Sequence, residues 1–254
     1  MWRQLYTATR RTPLLKSVVW RMLPDEAVTL DGLTMHVHPR DNMTERHIWL
    51  HHVWPEPDSI AKLCAIVAAR PCLVIDVGAN CGAFTVPLAR AAAPGSRVIA
   101  VEPNPAMVAR LAANLDANGL ADRVEIVQRA LDAQDGSATL TLHARNLGQS
   151  SLGTPKRPGQ SLTVAATTLA GLIADSALPV VVKIDIEGHE DTALWPLLTG
   201  ARHLPEVFLL ETQHAAQWSH DLVARLSELG YDQTYSGEGN TLFHRSPSQQ
   251  GPGA

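Results

Sequence analysis

The sequence has 254 residues, of which 45% are hydrophobic and 18% charged, and its formal net charge is -4. This is the composition of an ordinary globular protein, and the length suits one large domain with extensions. No apolar run approaches the roughly 20 residues that span a bilayer, so the sequence predicts no transmembrane segment. The acidic balance argues against a nucleic-acid partner held by a basic surface.

The cysteines give no sign of a disulfide framework or a metal cluster. Cys64, Cys72 and Cys81 lack the spacing of either kind of site. The sequence therefore predicts a reducing compartment, and we expect a cytoplasmic protein.

Residues 1–60 are predicted to form a helical and hairpin extension, either a substrate cap or a dimer arm. Residues 1–24 carry five basic residues and no acid. This pattern is typical of a membrane-surface helix or a transit peptide, but it equally suits helices packed on their own domain or on a second subunit. We favour packing, and a homodimer is compatible with it.

The rest of the extension contains a hairpin signal and a histidine pair. Residues 28–38 partly alternate between polar and apolar types, which predicts a β-hairpin. His47 and His51 are four residues apart, so on a helix they share a face. They could bind a metal, but contacts to a substrate or plain surface positions are favoured. Ser59 is predicted to cap a helix over residues 60–69.

The chain is organised around an apolar strand, residues 72–76, that runs into a glycine-containing turn. Asp76 stands at the carboxyl end of that strand, where open α/β sheets bind their ligands. Gly78 and Gly82 let the backbone take positive φ and let a ligand come close. A dinucleotide site has a third glycine and no carboxylate ahead of the first, because an acid repels a pyrophosphate. The turn therefore suits a ligand with an ammonium or sulfonium group, the alternative being a purely structural turn.

A second acid ends the next predicted strand. Residues 97–101 form that strand, and Glu102 follows it. The spacing of Asp76 and Glu102 at the ends of two successive parallel strands lets the second acid bind both hydroxyls of a ribose. Together the two acids favour an adenosine-type cofactor.

Further helices and strands alternate along the remaining chain, with a polar loop over residues 146–159 that is either an active-site lid or disordered. Leu131 falls in a loop that is expected to flank an adenine. The predicted helices are residues 84–93, 106–118, 168–175 and 221–229, and the predicted strands are residues 124–128, 139–143, 162–166, 179–184 and 205–210, before a closing hairpin of residues 231–235 and 241–244.

Two acidic groups follow the fourth and fifth parallel strands. Asp185, Glu187 and Glu190 lie within six residues, and Asp185 is the strongest candidate for chemistry. The two glutamates could instead merely favour the start of the next helix through its dipole, and Pro196 is expected to kink or end that helix. Glu211 ends the fifth strand, with His214 three residues on.

This order of elements, with acids ending three strands, resembles the Rossmann-like, class I S-adenosylmethionine-dependent methyltransferases, and more narrowly the FkbM family. The resemblance covers residues 73–215. Four segments carry it: Ile75-Asp-Val-Gly-Ala-Asn-Cys-Gly82, Val101-Glu-Pro-Asn-Pro105, Asn146-Leu-Gly-Gln-Ser-Ser-Leu152 and Lys183-Ile-Asp-Ile-Glu-Gly-His-Glu190. The implied fold is α/β, with a mostly parallel seven-stranded sheet over residues 61–245, helices on both faces and a terminal antiparallel hairpin. Residues 246–254 are predicted to be a disordered tail.

The resemblance implies methyl transfer from S-adenosylmethionine to a hydroxyl of a sugar, polyketide or other small natural product. It also implies the cofactor-binding residues. Asp76 and the backbone around Gly78, Asn80 and Gly82 would hold the methionine portion, Glu102 the ribose, and Asn104 and Leu131 the adenine surroundings; Ala79, Pro103 and Asp185 complete the set.

Asp185 is the candidate that would orient or deprotonate the acceptor, with Glu211 and His214 as supporting or alternative bases. A divalent metal such as Mg²⁺, held by Asp185, Glu190 or Glu211, is an alternative that no diagnostic spacing favours. Two other functions stay open at this point, an RNA methyltransferase and a non-catalytic cofactor-binding scaffold.

Overall fold

The helices and strands come in the predicted alternation, preceded by the N-terminal extension. The computed structural model describes residues 2–9, 12–143, 146–152, 160–200 and 203–245. Its helices are α1 Trp2–Ala8, α2 Pro13–Arg21, α3 Met43–His51, α4 Pro57–Ala69, α5 Thr85–Ala91, α6 Pro105–Ala117, α7 Leu169–Ile173, α8 Glu190–Gly200 and α9 Leu222–Glu228. Its strands are β1 Glu26–Leu30, β2 Leu33–Val37, β3 Leu73–Val77, β4 Arg97–Val101, β5 Val124–Val127, β6 Ala130–Leu131, β7 Gly136–Leu142, β8 Ser151–Leu152, β9 Gln160–Thr167, β10 Val180–Ile184, β11 Val207–Glu211, β12 Tyr231–Gly237 and β13 Asn240–Arg245.

Among the described residues, seven strands form the central sheet in the order β12, β13, β11, β10, β3, β4, β5. The five from β11 to β5 are parallel, whereas β13 runs antiparallel to both β11 and β12. The chain starts in the middle at β3, fills one side with β4 and β5, and then crosses to β10 and β11. This reversal of strand order confirms the predicted α/β fold with a mostly parallel seven-stranded sheet, including its closing hairpin.

Both faces of the sheet are covered, because successive side chains of a buried strand point to opposite sides. In β3, Val74 belongs to one core with Leu63 of α4 and Leu111 of α6. Its neighbour Ile75 belongs to a second core with Leu194 of α8. Packing on both faces therefore fixes the positions of the strand ends, which form the ligand-binding edge of the sheet.

A second, four-stranded sheet lies between β5 and α7 in the sequence, in the order β6, β9, β7, β8. The sequence predicts its two long strands as exposed. They are longer than predicted, and each buries part of one face. Leu140 and Val164 pack with Ala130 in a small core of their own. This sheet brings the described part of the polar loop, residues 146–152, over the edge of the central sheet.

The extension packs on the central domain. Tyr6 and Val19 are buried in the core that also contains Leu111 of α6. Arg110 of α6 forms ion pairs with Asp41, at 2.9 Å, and with the fully buried Glu45. In the described residues this agrees with the favoured packing. Among all the residues that the structure describes, no helix is both long enough and apolar enough to cross a membrane.

Two local predictions were wrong. Ser59 does not cap α4, which begins at Pro57; its backbone N–H instead donates to Glu238, 2.9 Å away, and its side chain is buried. Leu131, which was predicted in a loop, ends the two-residue strand β6. Pro196 was expected to kink or end α8; the helix does not end there but continues to Gly200, because tertiary packing on both sides of the proline outweighs one missing hydrogen bond. The predicted tail, residues 246–254, and the second half of the predicted lid, residues 153–159, lie outside the described residues.

Candidate active site

A cavity of about 330 Å³ lies at the carboxyl ends of β3, β4, β10 and β11. This is the point where the order of the parallel strands reverses, and open α/β sheets bind ligands there. Its volume is in the range of small-molecule sites. Strand ends, the second sheet and the end of the extension all contribute to its wall.

The turn after β3 forms one side of the cavity. Gly78 has φ +74°, and its N–H donates to the Val101 carbonyl over 3.0 Å. A Cβ at Gly78 would overlap the backbone carbonyl of Asp185, and one at Gly82 would lie 2.8 Å from Leu111 Cδ1. Close packing against the Asp185 backbone therefore requires a glycine at position 78, and both glycines have the positive φ that the sequence predicted, whereas close approach of a ligand stays a prediction. The turn after β3 therefore packs directly against the end of β10.

Glu102 lies in the wall beside that turn, and its side chain is almost completely buried. Its two carboxylate oxygens accept hydrogen bonds from the backbone N–H groups of Asn80, at 2.9 Å, and Asn104, at 2.8 Å. Burial raises the pKa of Glu102 to about 7, although these two N–H groups favour the charged form. Each carboxylate oxygen still has a lone pair for a further donor.

Lys183 is a buried cation that the sequence analysis did not single out. It lies near the middle of β10, and its Nζ is 3.5 Å from Asp76 Oδ1 and 3.6 Å from Asp185 Oδ2. Burial lowers the pKa of Lys183, but the charges of Asp76 and Asp185, together with those of Glu56 and Glu211, outweigh the burial and raise it above its ordinary value. Asp76 also accepts a hydrogen bond from Thr85 Oγ1 at 2.6 Å. The signal that was missed is a lysine inside an apolar strand, which needs a buried acid as a partner.

Carboxylates crowd the end of the cavity at β10 and β11. Asp185, Glu187 and Glu211 all belong to the wall, and His214 Nε2 lies 3.9 Å from an oxygen of each glutamate. Burial, together with the neighbouring Asp185, raises the pKa of Glu187 to about 7 and that of Glu211 to about 9. This end of the cavity can accept a proton or attract a cation.

The Glu190 side chain holds the loop that precedes α8 by hydrogen bonds, which is a structural role other than the helix-dipole effect considered from the sequence. Its Oε1 accepts hydrogen bonds from the backbone N–H groups of Ile186, at 2.9 Å, and Gly188, at 3.2 Å. Its Oε2 accepts one from Trp218 Nε1 at 3.0 Å. Although Asp185, Glu190 and Glu211 come within 4.8 Å of one another, Glu190 is already satisfied. The metal set that the sequence suggested is therefore a poor one.

The described part of the predicted lid does reach the cavity. Asn146, Gly148, Gln149, Ser150 and Leu152 are in its wall. The Leu147 N–H donates to the Asp41 carbonyl over 2.7 Å, and the Met43 N–H donates to Asn146 Oδ1 over 3.0 Å. This segment is thus tied to the extension across the site.

The extension, which was predicted to be a substrate cap or a dimer arm, supplies residues to the wall of the cavity. Glu56 is one of them; burial raises its pKa, and its Oε2 accepts a hydrogen bond from Asn240 Nδ2 over 2.6 Å. His47 is another, with its ring centroid 4.8 Å from that of His51. Within the described residues no third metal-ligating side chain joins the two histidines. Contact with a substrate therefore stays the prediction for His47.

The wall contains many of the predicted residues but not all of them. It includes Gly78, Asn80, Glu102, Pro103, Leu131, Asp185 and Glu211. It does not include Asp76, Ala79, Gly82, Asn104 or His214. Asp76 forms an ion pair with Lys183 and accepts a hydrogen bond from Thr85. Asn104 caps α6, where its Oδ1 accepts a hydrogen bond from the Ala106 N–H. Their roles toward a ligand stay predictions.

A comparison with protein families decides the class of this chain. The family described as "Methyltransferase FkbM domain" matches residues 76–232, more than half of the sequence. The chain belongs to the FkbM methyltransferase family. The predictions of a methyltransferase and of S-adenosylmethionine as its cofactor are thereby confirmed.

Individual relatives are distant. Catechol O-methyltransferase of Mus musculus is 43% identical over 58 residues, which are 23% of this chain and only 22% of that protein's length. A methyltransferase structure from Geobacter sulfurreducens is 18% identical, with a TM-score of 0.48, and the match covers 80% of this chain and 86% of that one. Methyltransferase FkbM from Methylobacillus flagellatus is 19% identical, with a TM-score of 0.46 and coverages of 68% and 43%.

Proposed function

We propose that this FkbM-family enzyme methylates a hydroxyl oxygen of a small molecule. The observation that carries the proposal is a single cavity with two chemically different parts. One part surrounds Glu102, and the other is lined by Asp185, Glu187 and Glu211. The first suits a nucleoside, and the second suits a hydroxyl group whose proton has to leave.

The part around Glu102 fits the cofactor. The Glu102 carboxylate has lone pairs left to accept hydrogen bonds from two ribose hydroxyls. The carboxylates elsewhere in the wall favour a sulfonium ion by simple electrostatic attraction. When bound there, S-adenosylmethionine supplies an electrophilic methyl group.

Asp185 is the residue that we expect to act on the acceptor. Its side chain is 30% exposed and lies beside Lys183, so it can contact a substrate while remaining anchored. With S-adenosylmethionine bound, Asp185 would hold the acceptor hydroxyl and take its proton, and the cofactor would supply the methyl group that replaces this proton. Holding the reacting atoms in line is worth up to roughly 7–11 kcal/mol. Glu211 and His214 can relay the proton or replace Asp185 as base.

The same carboxylates favour a small molecule over RNA. A net charge of -4 and a wall with Glu56, Asp185, Glu187 and Glu211 would repel a phosphate backbone. We also propose that residues 1–60 act as a substrate cap, because Met43, Thr44, His47, Pro55 and Glu56 line the cavity. The alternative of a dimer arm stays a prediction.

The test begins with calorimetric titration of the purified protein with S-adenosylhomocysteine, with NAD as a control. We expect binding of the first ligand only, and its loss in Glu102→Ala. A screen of hydroxylated sugars, polyketides and phenols with a labelled methyl donor should then give a methyl ether. Methylation of RNA but of none of these compounds would contradict the proposal.

A further inference from the structure

Three side chains that commonly bind metals converge at the carboxyl ends of β10 and β11. Glu187, Glu211 and His214 each present one ligand atom, and these atoms lie within 4.8 Å of one another. Two ligands on opposite sides of one ion are separated by about 4.2 to 5.2 Å, since oxygen ligands lie roughly 2.1 to 2.6 Å from divalent cations. The three atoms therefore already have a spacing that one ion can bridge.

Glu211 has an unused acceptor in this cluster. The residue is 7% exposed, and its Oε1 accepts a hydrogen bond from Gln213 Nε2. Its Oε2 is buried and, within the described residues, has no hydrogen-bond partner. Such an atom is costly to leave unsatisfied. The other oxygen, Oε1, lies 3.9 Å from His214 Nε2, so a cation bound in the cluster would contact the same carboxylate.

The local charge balance also calls for a cation. Lys183 is engaged with Asp76 and Asp185. In the part of the chain that the structure describes, His214 is the only basic side chain within 4 Å of the Glu187 and Glu211 carboxylates. Within that distance, these two buried or half-buried carboxylates thus have only a titratable histidine as a counter-charge.

His214 can present a free lone pair to this group. Gln217 Nε2 lies 3.3 Å from His214 Nδ1. Rotating the Gln217 amide by 180° would place its oxygen there instead, so that Nδ1 carries the proton and Nε2, on the side of the two glutamates, is free to bind a metal. A hydrogen-bond partner on the far nitrogen is the usual support for a histidine ligand.

We propose that Glu187, Glu211 and His214 bind one divalent first-row transition-metal ion, with Asp185 at the edge of the site. Carboxylates alone would suit Mg²⁺, but an imidazole ligand shifts the preference toward ions such as Mn²⁺ or Zn²⁺. An ion there would be next to the acceptor hydroxyl and would lower its pKa. That catalytic role rests on the proposed function, whereas the binding itself does not.

The decisive experiment is titration of the chelator-stripped full-length protein with Mn²⁺, without cofactor or acceptor. Calorimetry should give one binding site, and electron spin-echo spectroscopy of the complex should show coupling to an imidazole nitrogen. Mg²⁺ should bind more weakly. No Mn²⁺ binding at about 1 mM would overturn the proposal, since that is the weak end of protein sites for divalent ions.

Variants assign the ligands. Glu187→Gln and His214→Ala should each weaken Mn²⁺ binding by about a hundredfold or more, and His214→Ala should abolish the nitrogen coupling. Glu125→Gln is the matched control. Glu125 lies exposed on β5, and its substitution removes the same charge as Glu187→Gln does. Melting curves and S-adenosylhomocysteine titrations show whether each variant is folded. Equal Mn²⁺ affinity in all variants would reject this ligand set.

The outcome is independent of the acceptor screen. Methyl transfer that survives exhaustive chelation, in a protein that binds no Mn²⁺, would reject the metal site and leave the proposed function intact. A metal site that passes every test, in a protein for which no hydroxylated acceptor is found, would support the metal site and reject the proposed function.

Discussion

Glu102 combines deep burial with two backbone hydrogen bonds, which makes its ionisation sensitive to a bound ribose. Ribose hydroxyls that donate to the carboxylate would favour its charged form and lower its pKa from about 7. S-adenosylhomocysteine binding should therefore release a proton below pH 7, and affinity should rise with pH up to about 7 and then level off. Calorimetry in two buffers with different ionisation enthalpies measures the released proton. An unchanged pH profile in Glu102→Gln would contradict this assignment.

The same raised pKa affects the stability of the free protein. Between the ordinary pKa of 4.5 and the folded value of about 7, the folded state holds a proton that the unfolded state has lost. The contribution of Glu102 therefore makes the protein less stable as the pH rises through this window, by about 3 kcal/mol in total. Bound S-adenosylhomocysteine should reduce the effect, and urea unfolding with and without it would show the difference.

Asp185 can be separated from cofactor binding by a conservative change. Asp185→Asn keeps the size of the side chain but removes the base, so turnover should fall by about 10²- to 10⁴-fold. S-adenosylhomocysteine affinity should change much less than turnover, because this ligand carries no sulfonium charge for Asp185 to attract. The measurement is single-turnover methyl transfer beside calorimetry, with the exposed Asp122→Asn as control. Turnover within a few-fold of the wild type would exclude Asp185 as the base.

The contact between the turn after β3 and the end of β10 is the feature at the scale of elements that fixes the site. Gly78 and Gly119 share a positive φ, +74° and +64°. A Cβ on Gly119 meets nothing within 4 Å, whereas one on Gly78 overlaps the Asp185 backbone. The two glycines therefore separate backbone strain from packing.

We expect Gly119→Ala to cost about 1–2 kcal/mol, the strain of the left-handed conformation alone. Gly78→Ala should cost more than about 4 kcal/mol and should also weaken cofactor binding, because the turn has to move away from Asp185. Urea unfolding and S-adenosylhomocysteine titration of both variants measure the two effects. Equal destabilisation would mean that the contact with Asp185 is not important.

At the scale of the whole molecule, the extension completes the cavity and is held to the sheet domain by Arg110. Among the described residues, Arg110→Ala would leave the buried Glu45 with only the His38 imidazole, 3.1 Å from its Oε1, as a partner that can carry positive charge, so it should destabilise the protein by about 3 kcal/mol. Arg97→Ala removes only an exposed pair with Glu125 and should cost less than about 1 kcal/mol. Urea unfolding compares the two.

Limited proteolysis tests whether that loss is local. If Arg110 holds the extension in place, early cleavage in the Arg110 variant should fall before residue 60, and S-adenosylhomocysteine binding should weaken. Cleavage spread evenly along the chain would indicate a general loss of stability instead.

The sequence by itself determined the parallel sheet, its order of elements and the acids at its strand ends. Buried strands such as residues 179–184 are local apolar patterns that end at turn residues or acids. Their positions therefore follow from the chain with little ambiguity. An acid at the end of a parallel strand must reach one known edge of the sheet. This is why the positions of Glu102, Asp185 and Glu211 along the chain are enough to assign them to the site.

Only the tertiary structure decided what surrounds those acids. Lys183 joins Asp76 to Asp185, and Glu190 turns away from the cavity to satisfy a loop and Trp218. Glu56 comes to the wall from a part of the chain with no periodic signal. These are contacts between residues far apart in sequence, and they depend on packing that no local pattern encodes. The sequence could therefore locate the chemistry, whereas the fold set which charges are paired and which remain free to act.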